Sequence, residues 1–212
     1  MRPRRLVVIA GTGTEVGKTW VTDQLARHLV EAGASVLARK PVQSFSPDDT
    51  VTDADVLAGA TGESPHDVCP AHRWYPLAMA PPMAAEALAL PVPFLDELVT
   101  ELAASWPDHQ PGFGLVETAG GIASPVAADA DNARFARAID AEMAVLVADA
   151  GLGTISAVRL AVPALDPIPT VVYLNRFDPK VYLHRANLDW LRTHDGLTLV
   201  TGPAALLDLV TA

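Results

Sequence analysis

Cysteine is almost missing from this 212-residue chain: Cys69 stands alone. An internal disulfide and a thiolate metal cluster are therefore excluded. Lysine is scarce as well, with only Lys18, Lys40 and Lys180 among 15 cations, which face 25 carboxylates. The resulting net charge of −10 repels phosphate backbones and argues against general nucleic-acid binding. Long apolar runs are lacking too. The start, Met1-Arg2-Pro3-Arg4-Arg5, is basic like a signal peptide, but the apolar run behind it, Leu6 to Ala10, stops at Gly11. That is too short for an export signal or a membrane span, so a cytoplasmic protein without membrane attachment is expected. None of the six histidines stands in a metal-binding spacing. His66 and His72 flank Cys69 without a fourth ligand, and no G-x-S-x-G element suggests a hydrolase.

Half of the residues are apolar, enough for a sizeable core. The length predicts a single α/β domain over residues 1–212. Short β-branched runs alternate with helical patterns: strands are expected at 6–10, 35–39, 113–117, 143–148, 170–174 and 197–200. Helices are expected near 17–31, 53–60, 94–104, 132–139, 155–162 and 181–191. This alternation predicts a three-layer fold of the P-loop NTPase type, with a mostly parallel central sheet and helices on both faces. Residues 41–52 and 64–82 read as loops. Trp20 and Leu25 in the first helix read as packing residues.

Gly11-Thr12-Gly13-Thr14-Glu15-Val16-Gly17-Lys18-Thr19 lies between the first expected strand and helix. Small residues there allow successive backbone N–H groups to point into one concavity, and the helix N-terminus adds partial positive charge. In such a phosphate loop Lys18 reaches the terminal phosphates and the Thr19 hydroxyl is a ligand for Mg2+. The usual pattern has glycine where Thr12 stands, so this is a variant. A dinucleotide fingerprint is the rival reading, since Gly11, Gly13 and Gly17 are one residue too widely spaced for it. That reading expects an acid after the second strand, where Arg39-Lys40 stands, and gives Lys18-Thr19 no role.

Lys40 and Glu117 end the second and third expected strands, where the crevice of an open parallel sheet lies. Pro41 biases Lys40 toward extended backbone. Glu117 is a candidate ligand for Mg2+ on bound phosphates. Asp53 and Asp55 each fit either a helix cap or a second carboxylate for the metal, and the local sequence leaves the choice open.

Taken together these residues resemble the ATP-dependent dethiobiotin synthetase family, from Val7 to about Asn175. The resemblance is carried by the loop 11–19, Lys40-Pro41-Val42-Gln43-Ser44, Asp53 before Leu57-Ala58-Gly59 and Ala80-Pro81-Pro82-Met83-Ala84-Ala85-Glu86. It continues through Val116-Glu117-Thr118-Ala119-Gly120-Gly121, Gly151-Leu152-Gly153-Thr154-Ile155 and Leu174-Asn175. It implies a ligase in which CO2 carbamylates 7,8-diaminononanoate, ATP phosphorylates the carbamate, and the second amine closes a cyclic urea. It implies Lys18, Lys40 and Thr14 as catalytic residues, and Gly13, Thr14, Glu15, Val16, Gly17, Lys18, Thr19 and Asn175 as the nucleotide site. By the same resemblance Thr19, Asp53 and Glu117 hold Mg2+, Asp53 being preferred to Asp55 by its distance to Gly62. Thr14 and Ser44 contact the diamine or its carbamate, while Gly151, Gly153 and Thr154 of a partner subunit bind the substrate carboxylate, so a homodimer is implied. Pro203, Ala204 and Ala205 are candidates to complete the base pocket.

Four positions depart from the family: Thr118 and Phe45 replace glycines, and Ser156-Ala157 replaces Asn-His. Thr118 would be strained if its site required positive φ. The departures leave the ATP side intact and bear on the diamine side, so a P-loop ATPase acting on another substrate is one alternative. A nucleotide-switched partitioning-type ATPase is another, although Thr12 and Gly13 stand where that class carries an extra lysine. A glutaminase-coupled ligase lacks its triad here.

Overall fold

The computed structural model describes residues 1–212. Its strands are β1 (Arg5–Gly11), β2 (Val36–Arg39), β3 (Gln43–Ser44), β4 (Trp74–Tyr75), β5 (Phe113–Glu117), β6 (Pro125–Ala127), β7 (Ala130–Asp131), β8 (Met143–Asp149), β9 (Thr170–Asn175) and β10 (Leu199–Val200). The helices are α1 (Lys18–Glu31), α2 (Asp53–Thr61), α3 (Pro65–Val68), α4 (Pro81–Ala87), α5 (Leu95–Ala104), α6 (Asn132–Ala138), α7 (Thr154–Ala161), α8 (Tyr182–Thr193) and α9 (Pro203–Thr211). Six strands form one parallel sheet in the order β10-β9-β8-β1-β5-β2.

Alternation along each strand sends side chains to two separate cores. Leu6, Val8 and Ala10 of β1 join Val116, Leu146 and Val172 on one face, whereas Val7 and Ile9 join Leu115, Val145 and Tyr173 on the other. Both faces are thus apolar and both need covering. Val21, Leu25 and Leu29 of α1, with Leu206 and Val210 of α9, cover the second face. Leu98, Phe135, Val158 and Leu191, from α5 to α8, cover the first. Each such side chain contributes about 1.5–3 kcal/mol by leaving water. The result is the expected three-layer P-loop NTPase architecture.

The six sheet strands and the helices α1, α2, α5, α6, α7 and α8 agree with the sequence reading apart from their ends. Three helices, α3, α4 and α9, are additional. α4 and α9 both carry proline at their first positions, where a missing N–H costs nothing, and proline in sequence signals a loop. Residues 64–82 are also more structured than expected. They hold α3, capped by a Ser64–Asp67 box, a 3-10 turn at Ala71–Arg73, and β4. Within the expected loop 41–52, β3 pairs with β4 (Gln43 opposite Trp74, Ser44 opposite Tyr75). These short elements depend on pairing between distant segments, which local periodicity does not carry.

The register sets the site. Ile9 lies opposite Glu117, Gly11 opposite Val147, and Asp149 opposite Asn175. The carboxyl ends of β1, β5, β8 and β9 therefore stand at one edge of the sheet, where Lys40 follows β2.

Candidate active site

The loop between β1 and α1 takes its shape from two glycines. A Cβ at Gly11 would stand 3.0 Å from the Gly13 carbonyl and from Val16 Cγ2. Gly17 has φ +92°, and a Cβ there would meet Asn175 Nδ2 at 2.1 Å. Thr12 needs no such freedom. It is not among the residues with positive φ, and its N–H donates to the Val147 carbonyl at 2.9 Å, which is why threonine is accepted where the usual pattern has glycine. Glu15 is held at φ 60° with Arg176 Nη2 donating to its carbonyl at 2.8 Å. Asn175 Nδ2 donates to the Val16 carbonyl at 2.9 Å. The end of β9 thus clamps the loop from behind, and Asp149 in turn accepts from Arg176 Nη1 at 2.8 Å. That hydrogen bond is the main reason the Asp149 carboxyl sits below the ordinary aspartate range.

Lys18 opens α1 and is buried, its Nζ 3.4 Å from the Gly13 carbonyl. Burial first, and the nearby Lys40 ammonium second, hold its pKa below the ordinary lysine value; Glu117 and Asp53 pull the other way without overcoming them. Lys40 is deeper still and bridges two carboxylates, Asp53 at 2.5 Å and Glu117 at 2.7 Å. Burial opposes its charge, but Glu117 and Asp53 outweigh burial and raise its pKa above the ordinary value. Thr19 Oγ1 lies 2.8 Å from Asp53 Oδ1 and 2.9 Å from Glu117 Oε1, and Thr22 Oγ1 donates to Glu117 Oε2 at 2.7 Å. Asp53 keeps an exposed edge. The protein packed around it opposes ionisation, yet Lys40, Thr19 and Lys18 together hold its carboxyl below the ordinary range.

The start of α2 places the two aspartates differently. Asp55 forms a capping box with Thr52, accepting from the Thr52 N–H at 2.7 Å, while Asp53 projects into the charge network. Buried Gln43 sets that helix end: its Oε1 accepts from the Ala54 N–H at 3.1 Å and its Nε2 donates to Thr52 Oγ1 at 3.3 Å. Thr19, Asp53 and Glu117 thus converge as one hydroxyl and two carboxylates. This all-oxygen set fits a small hard cation such as Mg2+, which binds one or two carboxylates together with phosphate oxygens.

A cavity of about 730 Å3 opens over these groups. Thr14, Glu15, Gly17, Lys18, Thr19, Lys40, Ser44 and Asp53 all line it, with Ala78–Pro81, Gly120, Ser124 and Arg176 on its other walls. Ser44 Oγ donates to the Met79 carbonyl at 2.5 Å. Glu117 does not line it but lies fully buried beneath, in contact with Lys40 and Thr19. Other expected residues lie outside this cavity. Val16 contributes its carbonyl to Asn175. Asn175 lines a neighbouring pocket with Gly17, Trp20 and Pro203. Gly13 and Gly153 line a third, on the far side of Thr14. Gly151 donates its N–H to Asp149 Oδ1 at 2.8 Å, and Thr154 is buried with its hydroxyl unpartnered; neither lines any of the three cavities.

Trp20 corrects the sequence reading. It is 48% exposed and lines a pocket, whereas Leu25 is fully buried as expected. Helical spacing alone does not separate a core side chain from one facing a cavity near the helix end. Thr118 is not strained. It has no positive φ, and its hydroxyl turns away to the Ile9 carbonyl at 3.3 Å; the positive φ of this turn falls on Gly120. Phe45 packs edge-on against Trp74, ring centroids 5.8 Å apart, and does not line the cavity. Cys69 is buried, and burial pushes its thiol up to about 12, so it is no nucleophile at neutral pH. The sequence reading missed Gln43, Thr22, Ser124 and Arg176. Only Gln43 lay in a motif already singled out.

Residues 5–168 match the model of a family described as AAA domain. The chain is 39% identical over 159 residues to the ATP-dependent dethiobiotin synthetase BioD of Caulobacter sp. (strain K31), covering 74% of this chain and 68% of that protein. It is 36% identical to the Aquifex aeolicus BioD over 71% of this chain and 65% of that protein. To the Anaeromyxobacter dehalogenans BioD it is 34% identical over 206 residues, 92% of this chain and 89% of that protein. Among solved structures, a plasmid partition protein from Borrelia burgdorferi superposes with a TM-score of 0.58 at 13% identity, covering 95% of this chain and 90% of that one. The Thermotoga maritima cell division protein FtsY superposes at 0.55 and 16% identity, covering 100% of this chain and 69% of that one. These two likenesses establish the fold alone, whereas the family model spans the loop 11–19, Lys40, Asp53 and Glu117. The chain therefore belongs to the family of ATP-dependent dethiobiotin synthetases.

Proposed function

We propose that this chain makes dethiobiotin from 7,8-diaminononanoate, CO2 and ATP. A carbamate on one amine takes the γ-phosphoryl group of ATP, and the second amine then displaces phosphate to close the cyclic urea. The observation that carries this reading is the placement of Lys18, Lys40, Thr19 and Asp53 in one cavity over buried Glu117.

Such chemistry needs reactants in line and negative charge neutralised, more than it needs covalent help. The N–H groups of the loop 13–19 hold the phosphates at the start of α1. Lys18 and Lys40 neutralise the carbamate and the transferring phosphoryl. Thr14 and Ser44 contact the diamine, and Asn175 reads the base edge from its pocket. Thr19, Asp53 and Glu117 would hold Mg2+, which when bound shields charge on the phosphates. Gly151, Gly153 and Thr154, which do not line the main cavity of their own chain, serve the site of a second copy, binding the substrate carboxylate at the N-terminus of α7. The protein acts as a cytoplasmic homodimer on small molecules, without nucleic acid or membrane. No helix of the chain is long and apolar enough to cross a bilayer.

Protein mixed with ATP, Mg2+, bicarbonate and 7,8-diaminononanoate is expected to release ADP together with the cyclised product. ADP release that ignores the diamine would overturn the reading.

A further inference from the structure

Four tryptophans stand in this chain, and three have their ring faces or edges occupied. Trp74 packs against Phe45 and His66, Trp106 lies under the Arg39 guanidinium, and Trp190 packs against His194 with the Arg159 guanidinium 5.9 Å from its ring centroid. Trp20 has neither an aromatic nor a cationic partner and remains 48% exposed. It sits in the first turn of α1, two residues after Lys18. Helical side chains lean back toward the N-terminus, so its indole covers the turn that ends the phosphate loop.

Trp20 also lines a pocket of about 490 Å3 with Gly17, Tyr173, Asn175, Phe177 and Pro203. Gly17 belongs to the phosphate loop as well, so the pocket begins where the phosphate cradle stops. Arg176 and Thr201 complete its lining, but the strongest donors are already engaged: Asn175 gives its amide nitrogen to the Val16 carbonyl, and Arg176 gives its guanidinium to Asp149 and to the Glu15 carbonyl. A flat heteroaromatic ring next to a triphosphate would find stacking surface here more readily than hydrogen bonds.

We propose that Trp20 is the stacking wall of the nucleobase pocket and sets much of the affinity for the nucleoside part of ATP. This rests on the nucleotide reading above. Stacking on an aromatic side chain is tolerant of base identity, so the same wall serves other nucleoside triphosphates.

The test compares ATP with inorganic tripolyphosphate, which fills the phosphate cradle but has no base. Trp20→Ala is expected to weaken ATP binding about 5- to 100-fold and to leave tripolyphosphate binding unchanged. It should raise KM for ATP without lowering kcat, and Trp20→Phe should restore most of the loss. ATP, but not tripolyphosphate, should quench indole fluorescence in the wild type more than in Trp20→Phe. Wild-type ATP affinity in Trp20→Ala, or equal losses for both ligands, would overturn the role of Trp20 while leaving the nucleotide site standing. Wild-type protein that binds neither ligand would overturn both.

Discussion

Around Lys40 the charges answer one another within the chain. Its ammonium meets Asp53 and Glu117, Thr19 bridges the same two carboxylates, and Thr22 takes the remaining oxygen of Glu117. At the start of α7 the opposite holds. Leu152 is 92% exposed, Leu160 is 79% exposed, and the buried Thr154 hydroxyl has no partner. The first region is closed by folding one chain; the second leaves apolar surface in water and, beneath it, a buried hydroxyl without a partner. Apolar side chains this exposed fit better at an interface than in water. Asp149 joins the two regions, accepting from the Gly151 N–H on one side and from Arg176, which holds Glu15, on the other.

The comparison breaks most visibly at the two lysines. Lys18→Ala and Lys40→Ala should each lower turnover at least ~10²-fold, the scale of a lost electrostatic donor. Only Lys40→Ala should also lower the melting temperature, because it strands the buried Glu117 carboxylate at a cost of about 3–5 kcal/mol. Lys18 has no carboxylate partner to strand, and equal melting losses in the two variants would contradict the assigned network. At the other region, Leu160→Asp should dissociate the proposed homodimer in sedimentation, keep ATP binding, and lower diamine-dependent turnover roughly tenfold to a hundredfold through misplaced substrate. A variant that stays dimeric would remove α7 from the interface.

Titration sharpens the same contrast. Lys18 loses its proton below the ordinary 10.5, so ATP affinity should fall with rising pH before that value, and Lys18→Arg should remove this alkaline limb. Lys40 behaves in the opposite sense. Its raised pKa gives stability that is fully present below 10.5 and lost only as pH rises through the higher folded value. Asp53, held low, contributes above the ordinary aspartate value of 3.8, and that contribution fades as pH falls through its lower folded value. Melting temperature followed against pH should therefore hold both contributions between these limits, with the lowered Lys18 pKa adding a rise on the alkaline side. The smallest effect is expected from Thr118→Gly: an unchanged KM for the diamine and a stability loss of about 0.5–1 kcal/mol from the freer unfolded chain. A clear change in KM would return Thr118 to the substrate end.

Much of this could be read from residue order. Strand periodicity and covered faces predicted the layered sheet, and Gly17-Lys18-Thr19 between strand and helix predicted the cradle. Glu117 and Lys40 were legible because they end strands, and strand ends meet in a parallel sheet. Arg176, Thr22 and Gln43 were not legible in these roles. Each acts through a hydrogen bond to a segment far away in sequence, and neither its type nor its neighbours announce that partner. Trp20 was misread for a related reason, since an apolar residue beside Val21 on a helix is compatible with the core, while the start of α9 leaves its indole beside a pocket.

The order of amino acids by itself determined the local chemistry: which backbone can turn at Gly11 and Gly17, which faces are apolar, and which few lysines there are. Those properties belong to single residues or to short periods along the chain. Tertiary structure alone decided which of Asp53 and Asp55 joins the charges, that Thr118 is unstrained, and that Trp20 is left without a partner. These outcomes depend on distances between segments brought together by the sheet register, and burial and Coulomb energies follow such distances rather than sequence separation.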